Sequence, residues 1–324
     1  MQNLEIYLIN LFMIGEIFSD SPHGGFIKDT TKIECDNFIF EFKQHDINLK
    51  QKKFINETRI TTTVTVHNIK DSQLKAILSI VDDLCWLLSF ALQSPIHRQS
   101  YKINSRAKNS INCSEYTINP PNYIIENRGQ YIRQFIEQVY PTFKKLKSSR
   151  ELTVVFGYLL EINQPKLAVE TKLIISYVLI EQLKRTYAEM LGYINNGNRF
   201  EHPEYPDLEA RPEDIENYKP FQSRNNFIYR HKQFGKCGSN EMIKRVFEHV
   251  NISREETKNI IEKRNQMIHE GLLLPFGDKN YMVQAIKDFH SVNNLLREYL
   301  LNILNYKGEY YLSSDRLSSS VCIL

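Results

Sequence analysis

The chain has 324 residues, and 41 Lys and Arg stand against 38 Asp and Glu, a formal net charge of +3. That balance excludes a strongly cationic nucleic-acid coat, so any RNA contact has to come from a local patch. Hydrophobic content of 42% and charged content of 24% are those of an ordinary globular chain, long enough for two domains.

The first ~70 residues read as strands. Leu4 to Met13 is largely apolar. Lys32 to Lys43 alternates, with Ile33, Cys35, Phe38, Phe40 and Phe42 apolar, and Ile60, Thr62, Val64 and Val66 alternate in a β-branched run. Asp71 looks like the N-cap of a long helix carrying Leu74, Ile77, Leu78, Val81, Leu84, Cys85, Leu88 and Leu92, which Ser94-Pro95 ends. Residues 96–125 read as short strands and turns.

From Asn127 the period changes to that of helices. Ile132, Phe135, Ile136 and Val139 form one stripe; Leu152, Val155, Phe156, Leu159 and Leu160 form another. After Pro165 a long helix is predicted to about Leu191, with Leu173, Ile174, Tyr177, Ile180 and Leu183 inward. Residues 195–222 read as a loop, with four prolines and a series of carboxylates from Glu201 to Glu216. Ser239 and Ser253 look like N-caps, and Ser253-x-x-Glu256 is a capping box. A last helix is predicted from about Asp278 to Tyr306. The expected fold class is α+β: a β-rich N-terminal domain with one long helix over 1–125, an all-α bundle over 126–310, and a flexible tail over 311–324.

The five cysteines are odd in number and lack C-x-x-C spacing, which points to reduced thiols in a cytoplasmic protein. Spacing builds no metal site. The most apolar stretch, Ile77 to Leu92, is broken by Asp82-Asp83 and too short for a bilayer. The first cation is Lys28, a poor start for a secretory leader, and Cys322 is wrongly placed for prenylation. No membrane attachment is expected. Asp82-Asp83 has no third ligand in view, and Trp86 reads as core.

The chemistry concentrates in Arg264-Asn265-Gln266-Met267-Ile268-His269. On a helix, Ile260 and Met267 fall roughly 40° and 60° to one side of Arg264, and Ile268 and Ile261 roughly 40° and 60° to the other. Arg264 therefore sits within an apolar stripe, where a guanidinium must pair with an acid or face a cleft. Asn265 and His269 are i,i+4 neighbours on its flank. His269 precedes Gly271 at a helix C-terminus, where the dipole favours its protonated form. A fixed cation, an amide and a titratable imidazole suit a phosphodiester, which needs charge stabilisation and a proton carrier. The alternative is a structural arginine and a helix-terminal histidine.

A second string, Arg224-Asn225 to His231, has R-x6-H spacing but lies in a mixed segment and reads as a decoy. The same segment carries Arg224, Arg230, Lys232 and Lys236 among Phe227, Tyr229 and Phe234. Cations interleaved with aromatics suit single-stranded RNA; a solvated basic loop facing the acidic 201–216 loop is equally compatible.

Arg264-Asn265-x-x-x-His269, late in a helical bundle, resembles the R-x4-6-H motif of HEPN domains. Asp82 to Ile96 ahead of such a bundle resembles the junction in ApeA-like HEPN proteins, which pair a β-rich N-terminal domain with a C-terminal HEPN domain in antiphage defence. The resemblance implies a metal-independent endoribonuclease without cofactor, in which the RNA 2′-OH attacks the adjacent phosphate and leaves a cyclic 2′,3′-phosphate. It implies His269 as general acid/base, Arg264 as phosphate ligand, and Asn265 orienting substrate or His269. Arg224, Arg230, Lys232 and Lys263 would hold RNA. An acid on an earlier helix would be Glu181 or Glu170. A homodimer is implied, acting as a toxin or abortive-infection effector, with the N-terminal domain meeting a trigger or partner protein. HEPN toxins silenced by AMPylation carry Tyr two positions after the His; here Gly271 stands there, which argues against that control. The alternative within the family is a non-catalytic module that binds RNA, nucleotide or a protein.

Overall fold

The computed structural model describes residues 2–20, 25–45, 60–103, 106–108, 123–197, 199–203, 236–270, 279–313 and 321–323. The fold class is α+β, with N-terminal strands followed by helices. By contacts the chain divides into two compact units: 1–145 with 156–167 and 300–324, and 146–155 with 168–299.

The first unit is built on an antiparallel sheet in the order β2-β3-β4-β5-β1-β6-β7. Its strands are β1 (Gln2–Ile9), β2 (Ile17–Asp20), β3 (Phe26–Cys35), β4 (Phe38–Gln44), β5 (Ile60–Ile69), β6 (His97–Ile103) and β7 (Arg106–Lys108). The period-2 pattern sets the register: Leu4, Ile6 and Leu8, Phe40 and Phe42, and Val64 and Val66 are all buried. Asp36 and Asn37, both at positive φ, make the turn between β3 and β4.

Helix α1 (Leu74–Leu92) follows a single 3₁₀ turn, Asp71–Gln73. Asp71 is not the cap: it accepts from Gln2 Nε2 at 3.1 Å, while Gln73 Oε1 caps the Lys70 amide at 2.8 Å. Arg98 of β6 donates to both carboxylate oxygens of Asp82 at 2.8 and 2.9 Å, which is the role of that acid. Trp86 is only half-buried. Helix α2 (Gly129–Leu146) also belongs to this unit, although its period is that of the later helices. Arg133 pairs with Glu16, and Tyr140 and Lys144 with Asp36. Phe90 stacks on Phe156 with centroids 4.7 Å apart, and Phe135 meets Tyr306 at 5.3 Å. β12 (Val321–Ile323) pairs with β11 (Glu309–Tyr311).

Helix α3 (Leu152–Ile162) contributes its first residues to the second unit and its later ones to the first. The second unit otherwise contains α4 (Val169–Met190), α5 (Ser239–Glu248), α6 (Arg254–Glu270) and α7 (Lys279–Ile303 up to Tyr299). It is not purely helical. β8 (Ile194–Asn196), β9 (Arg199–Glu201) and β10 (Lys236–Gly238) form a small antiparallel sheet, where the sequence reads as a loop from 195. Asn195-Asn196-Gly197, with Gly197 at φ +71°, is hairpin chemistry that the following prolines and acids obscure. On α4, Leu173, Tyr177, Ile180 and Leu183 are buried as expected, whereas Ile174 is exposed. The Ser253–Glu256 capping box forms, and Arg254 clamps Glu241 and Glu248 of α5, fixing the α5–α6 hairpin. Among the described residues no helix is long and apolar enough to cross a membrane.

Candidate functional site

The site lies within the second unit, where α6 meets α4. Helix α6 is polar along most of its length, and Ile260, Ile261 and Arg264 are its buried face with Thr257. Arg264 is 9% exposed, as its place among apolar neighbours requires. Its Nη2 donates to Glu181 Oε1 of α4 at 2.5 Å. Its Nη1 donates to Asn265 Oδ1 at 2.7 Å. Of the two acids left open by the sequence, Glu181 is therefore the one that meets Arg264; Glu170 stands in the first turn of the same helix.

Glu181 is shared. Its second oxygen, Oε2, accepts from Lys184 Nζ one turn later on α4. Lys184 is itself only 7% exposed and donates to Ser239 Oγ at 2.7 Å. Ser239 is the first residue of α5, after a Gly238 cap, so its hydroxyl serves Lys184 instead of capping the helix. Lys184 also lies 5.5 Å over the ring of Phe200 on β9. The sequence singled out Ser239 only as an N-cap, a place that Gly238 takes, and did not single out Lys184. The i,i+3 relation of Glu181 to Lys184 was the available signal.

A guanidinium carries five N–H donors. Two are used by Glu181 and Asn265, and the Nε–H is buried with no hydrogen-bond partner among the described residues. Such a donor is costly unless another group meets it. Lys263, expected to hold RNA, is turned to α7, where Asp288 accepts from it; Gln284 also donates to Asp288, at 2.7 Å. His269 lies in the last turn of α6, and its side chain falls outside the described residues. Arg224, Arg230 and Lys232 fall outside them as well, as does the second string ending at His231.

Two of the described thiols are poor nucleophiles. Burial pushes Cys35 up to about 12, with Glu137 and Asp36 adding to it, and burial pushes Cys237 up to about 11. Among the described residues no group of three or more His, Cys, Asp or Glu side chains is placed to hold a metal ion. No family model, no curated protein and no solved structure matches the chain.

Proposed function

We propose that the chain is a metal-independent endoribonuclease of the HEPN type, with its site on α6. The observation that carries this is the state of Arg264: a buried cation, anchored by an acid from another helix, with an unmet Nε–H, on the helix that also bears His269. Arg150, buried in the same unit, also has an unmet Nε–H, so what sets Arg264 apart is its place on the helix that bears His269. In the proposed reaction the RNA 2′-oxygen bonds to the adjacent phosphorus and the bond from phosphorus to the 5′-oxygen breaks. The 2′ proton leaves to a base and the 5′-oxygen gains one, His269 serving in proton transfer while Arg264 balances the charge developing on the phosphoryl oxygens. Glu181 and Asn265 hold the guanidinium in one orientation. A homodimer through the helical unit, a cytoplasmic toxin or antiphage role, and a trigger-binding N-terminal unit complete the proposal.

The engagement of Arg264 by both Glu181 and Asn265 favours a second reading, a non-catalytic module that uses the same cation to bind RNA or another anion. Purified protein incubated with total RNA in EDTA separates the two. Cleavage that leaves cyclic 2′,3′-phosphate ends, abolished in both His269→Ala and Arg264→Ala, supports the enzyme. Equal cleavage by wild type and both variants overturns the site.

A further inference from the structure

The pair Arg264–Glu181 by itself is neutral and has little pull on an anion. What gives the cluster a net charge is Lys184. Two cations, Arg264 and Lys184, share one carboxylate, one on each oxygen, and the remaining members, Asn265 and Ser239, are neutral. The sum is one positive charge, held in a half-buried setting where charge counts for more than in water. Arg185, the next cation on α4, is committed to a separate group with Glu151 and Glu189 and shares no hydrogen-bond partner with this cluster.

We propose that Lys184 is a positioning residue of this site: by neutralising Glu181 it leaves Arg264 the net charge needed to hold one singly charged phosphodiester. The proposal rests on Arg264 being the anion ligand. Lys184 itself need not touch the diester. It is buried against Phe200 and tied to Ser239, so it stays on Glu181 Oε2 while the spare Nη protons of Arg264 remain for ligand. A single positive charge also matches a diester better than a terminal phosphate monoester, which carries nearly two negative charges at neutral pH.

The test uses the full chain and a single-stranded RNA oligonucleotide whose sugars lack the 2′-OH at the cleavable positions, so that binding is read without turnover. Charge arithmetic sets the order. Wild type carries +1; Lys184→Met carries 0; Lys184→Arg carries +1; the double variant Lys184→Met with Glu181→Gln returns to +1. Affinity should fall about ten-fold in Lys184→Met, with the salt dependence of binding losing roughly one counterion. It should stay within about three-fold of wild type in Lys184→Arg and in the double variant. A merely structural lysine would not be rescued by removing a second charge. If Lys184→Met does not fold, Lys184→Gln is the neutral variant in its place: a loss near ten-fold that adding Glu181→Gln restores supports the proposal, and wild-type affinity in Lys184→Gln, or no recovery in its double variant, overturns it.

Failures are separable. Wild-type affinity in Lys184→Met, with Arg264→Ala weakened, overturns the role of Lys184 and leaves the site standing. No binding by wild type, or equal binding by wild type and Arg264→Ala, overturns both. Binding that follows the charge order without any cleavage in EDTA upholds Lys184 and removes the enzyme.

Discussion

Glu181→Gln should destabilise the second unit more than Arg264→Met does, although the two residues share one ion pair. Removing Arg264 takes away a charge-assisted hydrogen bond of 2.5 Å, but Glu181 keeps Lys184 as partner. The expected cost is about 1.5 kcal/mol, at the low end for hydrogen bonds to charged groups because Glu181 is 33% open to water. Removing the carboxylate charge instead leaves two cations facing each other across an amide. At a separation of roughly 6 Å and an effective dielectric constant of 20 to 40, their repulsion is about 1.5–3 kcal/mol, added to the lost bonds. A total near 3 kcal/mol follows, in the range for an uncompensated charge in a partly buried place.

Urea unfolding of the full chain gives the comparison, with amide exchange along α4 and α6 assigning the transition to the second unit. The combined variant should cost less than the sum of the two, because Lys184 then has no cation opposite it. Equal costs, or a larger cost for Arg264→Met, would refute the idea that one carboxylate serves two cations.

Two other outcomes concern the first unit. His97, half-buried in β6, is held below the ordinary imidazole range by burial, and His45, exposed just past β4, is lowered in the same direction by partial desolvation and by Lys43. Their folded pKa values are depressed, so below about pH 6.5 the unfolded chain binds more protons. Stability of this unit should therefore fall between pH 7.5 and 5.5, read from urea midpoints, and His97→Gln should lessen the fall; a wild-type midpoint that rises on acidification contradicts this. Gly15→Ala should cost on the order of 3 kcal/mol or more, because its Cβ would stand 2.3 Å from Thr30 N and 2.5 Å from the Asp29 carbonyl carbon, both backbone atoms. Gly157→Ala, with open space around it on α3, is the control, and similar melting shifts for the two would count against the tight approach of Gly15 to β3.

The strands and helices were legible because their hydrophobic periods are strong and unmixed. Phe40, Phe42, Val64 and Val66 alternate, so burial on one sheet face follows directly, whereas α1 repeats at helical spacing and yet is buried nearly all round from Asp83 to Leu92. Which elements pack together was not legible in the same way. Helix α2 has the period of a bundle helix, yet Arg133, Tyr140 and Lys144 tie it to Glu16 and Asp36 of the sheet unit. Periodicity reports which face is buried and says nothing of what covers it. Ile174 shows the converse limit: it follows Leu173 in an apolar run, and the run is wider than the buried face.

The site divides along the same line. Arg264 is anomalous by position alone, since a cation between Ile260, Ile261 and Met267 requires a partner, and that requirement can be read from one helix. The partner cannot. Glu170 and Glu181 both stand on α4, and only the crossing of α4 with α6 selects Glu181. Lys184 is a step further removed, because its part in the site passes through Glu181's second oxygen and never involves α6. A charge in a wrong-looking place thus points to the existence of a cluster. Its sign and size, which decide what the cluster can hold, depend on residues that look ordinary until the helices cross.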